Sequence, residues 1–407
     1  MNKDLEINLL LISVFFLPLY QIPSYVCWAI LLVMHFIRKK KFEMNWSVFW
    51  PFYLFFALHS IGVMLSNDLA AALMELMVKV PLVLFPLVLF PVIQKDQIEK
   101  LKSVFTYGCL AQCLFVFSQA LIQYSHSGSN AFFYYTMYTT YLHPTYFTLF
   151  LNIAFLFLIE KIFFKRYKSN AEIYFSVSMM IFFLLNIYLA SARLSQMAVI
   201  ISISFYIFLL IRKKHFVIKS AFVLAALGVA VIAVISNNRF QQLKDFNRTI
   251  QNTDAEVSDT TYYNSTRGRI ILLEAGFSVF KDHALIGTGL ANYDRDFNGY
   301  LENHGYHYLA DNYTGPHSQY LETAILLGIP GLLLVLYLYI GNIFRFLKMR
   351  NYLAASFILI FTINGIGEYT FKASGILIFC FVVVLFERQD WLKRVDPENI
   401  VQAELKH

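Results

Sequence analysis

Long apolar runs separated by short polar connections occupy most of the chain. Twelve runs of about 15–22 residues come near the length that crosses ~30 Å of hydrocarbon. Their limits are 6–21, 23–37, 47–66, 79–94, 103–124, 142–160, 172–190, 194–211, 216–236, 328–344, 352–369 and 373–387. The pattern predicts an all-α integral membrane protein with about 12 transmembrane helices. No small-residue cleavage site follows the first run, so it reads as a retained span and not as a removed signal peptide.

The connections fall into two classes. One is basic: Arg38-Lys39-Lys40-Lys41, the 95–102 segment, Lys161/Lys165/Arg166/Lys168, Arg212-Lys213-Lys214, Arg345/Lys348/Arg350, and a tail with Arg388, Lys393 and Arg394. The other has few or no basic residues. Lys/Arg excess marks the cytoplasmic side. A twelve-span arrangement puts every basic cluster on that side, with both termini cytoplasmic.

One connection on the other side is long. Residues 237–316 are rich in Asn, Asp, Thr, Tyr and Gly. A structureless segment of this length is uncommon unless it has a task. The division expected is 1–236 for helices one to nine, 237–327 for a partly helical periplasmic loop domain, 328–387 for the last three helices, and 388–407 for a cytoplasmic tail. Within the loop, NSTRGRIILLEAGFSVFKD predicts a helix. Asn264, Ser265 or Thr266 can cap it, and Ile270, Leu273, Phe277 and Phe280 recur at helical spacing. Such a helix is expected to lie along the membrane surface. ALIGTGL follows as a turn at Gly287 and Gly289. It is not a phosphate loop, since no Gly-Lys-Ser/Thr completes it.

Composition agrees with the pattern. The chain has 407 residues, 58% hydrophobic and 14% charged, where a soluble domain carries roughly a quarter charged. The net charge of +7 lies in clusters between apolar runs, a mark of membrane topology and not of a nucleic-acid-binding face. Cys27, Cys109, Cys113 and Cys380 all fall in apolar runs, which excludes a disulfide framework or a zinc site.

A few polar residues on the non-basic side could carry chemistry. Arg193, in YLASARLSQMAV, stands between two spans. It is either functional, as charges near hydrocarbon usually are, or a snorkelling side chain that fixes a turn. Arg267 and Arg269 open the predicted loop helix. Cations there oppose the helix dipole, which an anion site would tolerate because helix N-terminal amides also attract phosphate. The alternative is a pair of solvated charges. His317 ends the loop and precedes Tyr320, Leu321 and Glu322. It suits a general base, or it is a helix-start residue satisfied by water. His143-Pro144 starts the sixth run, where it could line the same external cavity or cap its helix. His304 and His307 form a weak His-x-x-His signal with no completing ligand.

Taken in order, these segments resemble a known family. HSQYLETAILLGIPG is similar to the His-Asn…Leu…Gly-x-x-Gly signature of the O-antigen ligase and polymerase superfamily, with Ser318 in place of the usual Asn. RGRIILLEAGFSVFKDHALIGTGLANY resembles its upstream arginine, amphipathic helix and Gly-x-Gly turn, with Ala284 where Pro is usual. SARLSQMAV and HPTYFTLFL resemble its Ser-Arg step and His-Pro element. The resemblance spans roughly residues 140–345 at motif level. It implies a GT-C-like membrane glycosyltransferase that uses a glycan carried on undecaprenyl pyrophosphate, at the outer face of a bacterial inner membrane.

On that resemblance, His317, Arg193 and Arg269 are the catalytic candidates. Arg269 is the better match of the two loop arginines because it lies five residues before Glu274. Arg267, His143, Tyr320 and Glu322 are candidates for pyrophosphate or sugar binding. No metal, nucleotide sugar or other cofactor is implied. The acceptor would be lipid A–core for an O-antigen ligase, the nearest reading, or another repeat unit for a polymerase. A lipid-linked glycan flippase or exporter would instead place charges in the middles of many spans, and the predicted spans are almost free of them.

Overall fold

The computed structural model describes residues 3–37, 45–133, 142–210, 266–313 and 315–395. The expected ninth span at 216–236, the 38–41 and 212–214 basic clusters, most of the tail and loop residues 237–265 lie outside the described residues. The side chains of Arg193, Thr266 and Arg267 do so as well. Among the described residues every regular element is helical.

Among the described residues, eight long helices precede the loop: α1 Lys3–Leu19, α2 Gln21–Ile37, α3 Trp46–Met64, α4 Leu69–Val92, α5 Lys95–Ser127, α6 Pro144–Phe163, α7 Asn170–Leu189 and α8 Arg193–Leu210. The loop region contributes α9 Thr266–Asp282, α10 Tyr293–Asn303 and α11 His307–Asn312. Three more follow: α12 Gln319–Lys348, α13 Tyr352–Asn364 and α14 Ala373–Val395. Six of these, α3 to α7 and α12, are long and apolar enough to cross a membrane, and three shorter apolar helices accompany them. The chain is a multi-pass membrane protein.

Three of the boundaries that differ from those expected bear on the polar end of the bundle. α4 starts at Leu69 and not near 79, because Asp68 caps it by accepting from the Ala71 N–H at 3.0 Å. Lys79 therefore lies well inside an apolar helix, which corrects the picture of charge-free spans. Its Nζ is held by Glu75 at 2.7 Å and by the Phe371 carbonyl at 2.8 Å. α12 starts at Gln319, so Tyr320 and Glu322 belong to its first turn. α13 stops at Asn364, which releases residues 365–372 as a polar connection.

Polar pairings give the bundle two distinct ends. At one, Lys102 meets Glu160 at 2.7 Å, Arg166 meets Glu99 at 2.5 Å and Lys161 meets Glu172 at 2.6 Å. Arg345 pairs there with Glu387 at 2.6 Å, and Arg388 donates to the Ile93 carbonyl at 2.9 Å. The described basic connections thus gather together. α6, α12 and α14 each run from that end to another, where Tyr146 donates to the Tyr369 carbonyl at 2.6 Å and Gln319 Oε1 accepts from the Phe371 N–H at 2.6 Å.

α12 is broken. Gly328 adopts φ 66° and ψ −162° inside it, a region open in practice only to glycine. The break strands backbone groups about 14 Å along the helix, where lipid cannot satisfy them. The turn after α9 satisfies them instead. Thr288 N–H donates to Ile325 O at 2.8 Å, Gly289 N–H to Leu326 O at 3.2 Å, and Ile329 N–H to Ala284 O at 2.7 Å. Gly287 makes the approach possible, since a Cβ there would run into the Leu326 backbone. The Gly-x-Gly turn and the Gly-x-x-Gly segment are two halves of one backbone joint.

α9 has two apolar sides. Ile271, Leu272, Ala275 and Val279 are buried, and Gly276 lets the helix close on Pro316 and Leu321. Three of the four stripe residues named from sequence face outward, Ile270 and Phe277 each 50% exposed and Leu273 38%, while Phe280 packs against the core. An apolar outer face of this kind suits contact with lipid.

Candidate active site

The connection 365–372 is the hub of the non-basic end. Gln319 N–H donates to Gly365 O at 2.9 Å, Gln319 Oε1 holds the Phe371 N–H, and Tyr320 hydroxyl donates to Thr362 O at 2.8 Å. The start of α12 and the end of α13 are therefore sewn together. Ser318 stands at the N-cap of α12 with extended backbone, its Oγ 3.5 Å from the Leu321 N–H, the role for which serine is preferred.

His317, just before this cap, has φ +49°. For a side chain other than glycine that conformation costs roughly 1–2 kcal/mol, so surrounding contacts must impose it. Tyr369 supplies them. Its hydroxyl accepts the His317 N–H at 2.9 Å, and its ring stacks on the imidazole at 5.4 Å between centroids. Tyr313 meets the imidazole edge-on at 5.6 Å.

Glu368 lies beside both. Arg269 Nη2 is 3.2 Å from Glu368 Oε1, Arg269 Nη1 donates to Gly367 O at 3.1 Å, and His317 Nδ1 is 3.8 Å from Glu368 Oε2. The carboxylate is nearly buried, whereas the guanidinium side chain is 55% exposed. Burial pushes the Glu368 carboxyl pKa up. The neighbouring His317, Arg269 and His143 outweigh that and hold it below the usual carboxylate range. His143, at the N-cap of α6, belongs to the same electrostatic group. Partial desolvation lowers its pKa, Glu368 pulls it up, and the nearby His317 and Arg269 push it down.

Among the described residues no group of three or more His, Cys, Asp or Glu has the geometry to hold a metal ion. Arg269 keeps N–H donors beyond those used by Gly367 and Glu368, so an anion arriving from outside would find a cation already aimed.

Residues 178–336 match the family described as O-antigen ligase. The chain carries a domain of the O-antigen ligase and polymerase superfamily. No curated protein matches it. The matched stretch includes Arg193, Arg267, Arg269, His317 and both halves of the backbone joint; His143, Glu368 and Lys372 lie outside it. Members of this superfamily are membrane enzymes acting on lipid-linked glycans, which makes the polar end of the bundle the place to look for chemistry.

The residues expected from sequence separate into three groups. Arg269, His317 and His143 gather around Glu368. Arg193 opens α8 after Ser191, which has φ +53°. Its neighbour Ser195 donates to Asn364 Oδ1 at 2.6 Å, and a methyl on Gly367 would sit 3.1 Å from Leu194 Cδ2 and 3.3 Å from Arg269 Nη1. The α8 start thus adjoins the hub, and Arg267 lies in the first turn of α9, two residues before Arg269.

Tyr320 and Glu322 are committed elsewhere: Tyr320 to Thr362, and Glu322, 2% exposed, to Lys372 at 2.7 Å. His304 stacks on Tyr300 at 4.1 Å on the exposed side of α10. Sequence reading missed Glu368, Tyr369 and Lys372 because the eleventh apolar run was drawn through to 369. The signal was present: NGIGEYTFKASG puts an acid and a lysine four apart between two apolar runs on the non-basic side.

Proposed function

We propose that this chain is an O-antigen ligase. It moves a glycan from undecaprenyl pyrophosphate to a sugar hydroxyl of lipid A–core at the periplasmic face of a bacterial inner membrane. The observation that carries the reading is the convergence of Arg269 and His317 on Glu368, at the end of the bundle away from the gathered basic connections. Since Lys/Arg excess marks the cytoplasmic side, that end faces the periplasm.

The chemistry follows from the groups present. The acceptor hydroxyl oxygen attacks the anomeric carbon, and His317 takes its proton. Glu368, beside Nδ1, favours the tautomer that leaves Nε2 free as the base. The bond from the anomeric carbon to the phosphate oxygen breaks, and undecaprenyl pyrophosphate departs with the electron pair. Arg269, with Arg193 and Arg267 from the two adjoining helix starts, neutralises the charge that builds on the diphosphate. Attack opposite the leaving group inverts the anomeric centre. Each step uses side chains alone.

Reconstitution in proteoliposomes with lipid-linked glycan and lipid A–core tests the reading. Wild type transfers glycan, while His317→Ala and Arg269→Ala lose nearly all transfer and His317→Ala still binds donor. Full transfer by either variant removes that residue from the mechanism. A polymerase would instead lengthen the lipid-linked glycan and leave lipid A–core bare, so the product's chain-length profile separates the two acceptors.

A further inference from the structure

A second set of charges lies behind the hub, and the reaction as written makes no use of it. Glu322, inside the first turn of α12, is buried and paired with Lys372 Nζ at 2.7 Å. That ammonium also lies 4.4 Å from the centroid of Tyr369, within the range of a cation–π contact. Lys79 reaches across from α4 to the carbonyl of Phe371 at 2.8 Å, with Glu75 balancing its charge at 2.7 Å. Residues 369–372 are thus gripped on several sides: Tyr146 on the carbonyl of Tyr369, Gln319 on the N–H of Phe371, Lys79 on its carbonyl, and Glu322 on Lys372.

The beneficiary of this grip is Tyr369, which does two things for His317. It binds the N–H of a residue held in left-handed backbone, and it stacks on the imidazole. A backbone conformation that costs free energy persists only when its surroundings over-determine it, and a base must be held close to its working position. A half-buried lysine paired with a buried carboxylate gains little over an apolar pair if it is there for stability alone. A pair whose cation rests on the ring that positions the base has a reason to be ionic.

We propose that Lys372 is a positioning residue for His317: neutralised by Glu322, it fixes the Tyr369 ring, and Tyr369 in turn fixes the main chain and imidazole of His317. The proposal rests on His317 being the base, yet its geometric core is measurable without substrate.

The test uses the full-length protein in nanodiscs. The double variant Lys372→Met/Glu322→Gln removes the cation without stranding a buried carboxylate. Two readouts are taken. The first is the rate at which diethyl pyrocarbonate modifies His317, followed by peptide mass spectrometry with exposed His126 as internal control. The second is steady-state transfer from lipid-linked glycan. The expected result is a several-fold change in His317 modification with His126 unchanged, together with a kcat fall on the order of tenfold to a hundredfold and little change in donor KM. Lys372→Arg, which keeps a cation over the ring, restores both.

Tyr369→Phe keeps the ring and removes the hydroxyl that holds the His317 N–H, so it alters His317 modification too. This arm stands even if the double variant fails to fold. Wild-type modification and kcat in the folded double variant, or wild-type modification in Tyr369→Phe, overturns the proposal. A wild-type protein that transfers glycan to no acceptor overturns the ligase reading instead, and leaves the modification difference in place.

Discussion

Glu368 Oε2 lies 3.8 Å from His317 Nδ1, with Arg269 on the other oxygen of the same carboxylate. The separation is longer than a hydrogen bond. A small closure would bring the pair into contact, as often happens when an active site fills. A carboxylate at Nδ1 is what an imidazole needs if its other nitrogen is to accept a proton. Glu368→Gln keeps the shape and removes the charge. It is expected to lower kcat for transfer by on the order of a hundredfold while the protein still folds. Kinetics in proteoliposomes, paired with a melting curve, check this; a variant that transfers at the wild-type rate removes Glu368 from the site.

The same carboxylate makes stability depend on pH. Its folded-state pKa is depressed, so the folded protein binds fewer protons than the unfolded chain in the acidic range. The stabilising contribution is then complete above the ordinary carboxylate value, about 4.3, and is lost as pH falls through the folded-state value. Melting curves in detergent between neutral and acidic pH show wild type losing this increment on acidification. The difference between wild type and Glu368→Gln therefore shrinks toward low pH. A difference that is constant or grows would contradict the pairing.

How much of this was legible in the sequence depends on the kind of signal. Apolar runs declare themselves by length, and α3, α6 and α7 fall close to their expected limits. Polar ends are harder to place. With Asp68 as its cap, α4 starts ten residues before the expected limit, because a helix can start in a mixed stretch once its first N–H groups are satisfied. The motif residues His317, Arg269 and His143 were readable as candidates one at a time.

What joins them was not readable. Glu368 and Tyr369 belong to a short connection whose partners are 99 and 52 residues away in the chain, and spacing along a sequence does not encode such meetings. Glu322 illustrates the reverse. Its closeness to His317 in sequence suggested a shared role, but helix geometry turned it toward Lys372 and left Glu368 beside the imidazole.

The joint between the α9–α10 turn and the break in α12 predicts sharply unequal effects of glycine substitution. At Gly287, φ +83° and the Leu326 backbone leave no room for a Cβ. At Gly328 the added carbon would sit 2.7 Å from the Leu285 carbonyl carbon. Gly287→Ala and Gly328→Ala are each expected to cost about 1–3 kcal/mol from backbone conformation alone, with the clash in addition. Gly299, inside α10, has nothing within 4 Å of the added carbon, and Gly299→Ala is expected to stabilise by up to ~1 kcal/mol. Fluorescence-detected size exclusion after heating ranks the three. Equal behaviour would mean the joint does not form.

The assignment of the two ends to two compartments is open to direct test, and the cysteine pattern makes it practical. All four native cysteines are buried, so a membrane-impermeant maleimide meets little background. Lys168, exposed beside the Lys161–Glu172 pair, marks the basic end. Glu302, exposed on α10, marks the other, since Asn292 just before α10 ties that helix to the end of α3 through the Asn67 N–H at 2.7 Å. In cells with a permeabilised outer membrane, Glu302→Cys is expected to label at once, and Lys168→Cys only after the inner membrane is broken. The reverse order would put Arg269, Glu368 and His317 in the cytoplasm. There they could not meet a diphosphate-linked glycan presented on the periplasmic side, and the proposed transfer would have no substrate.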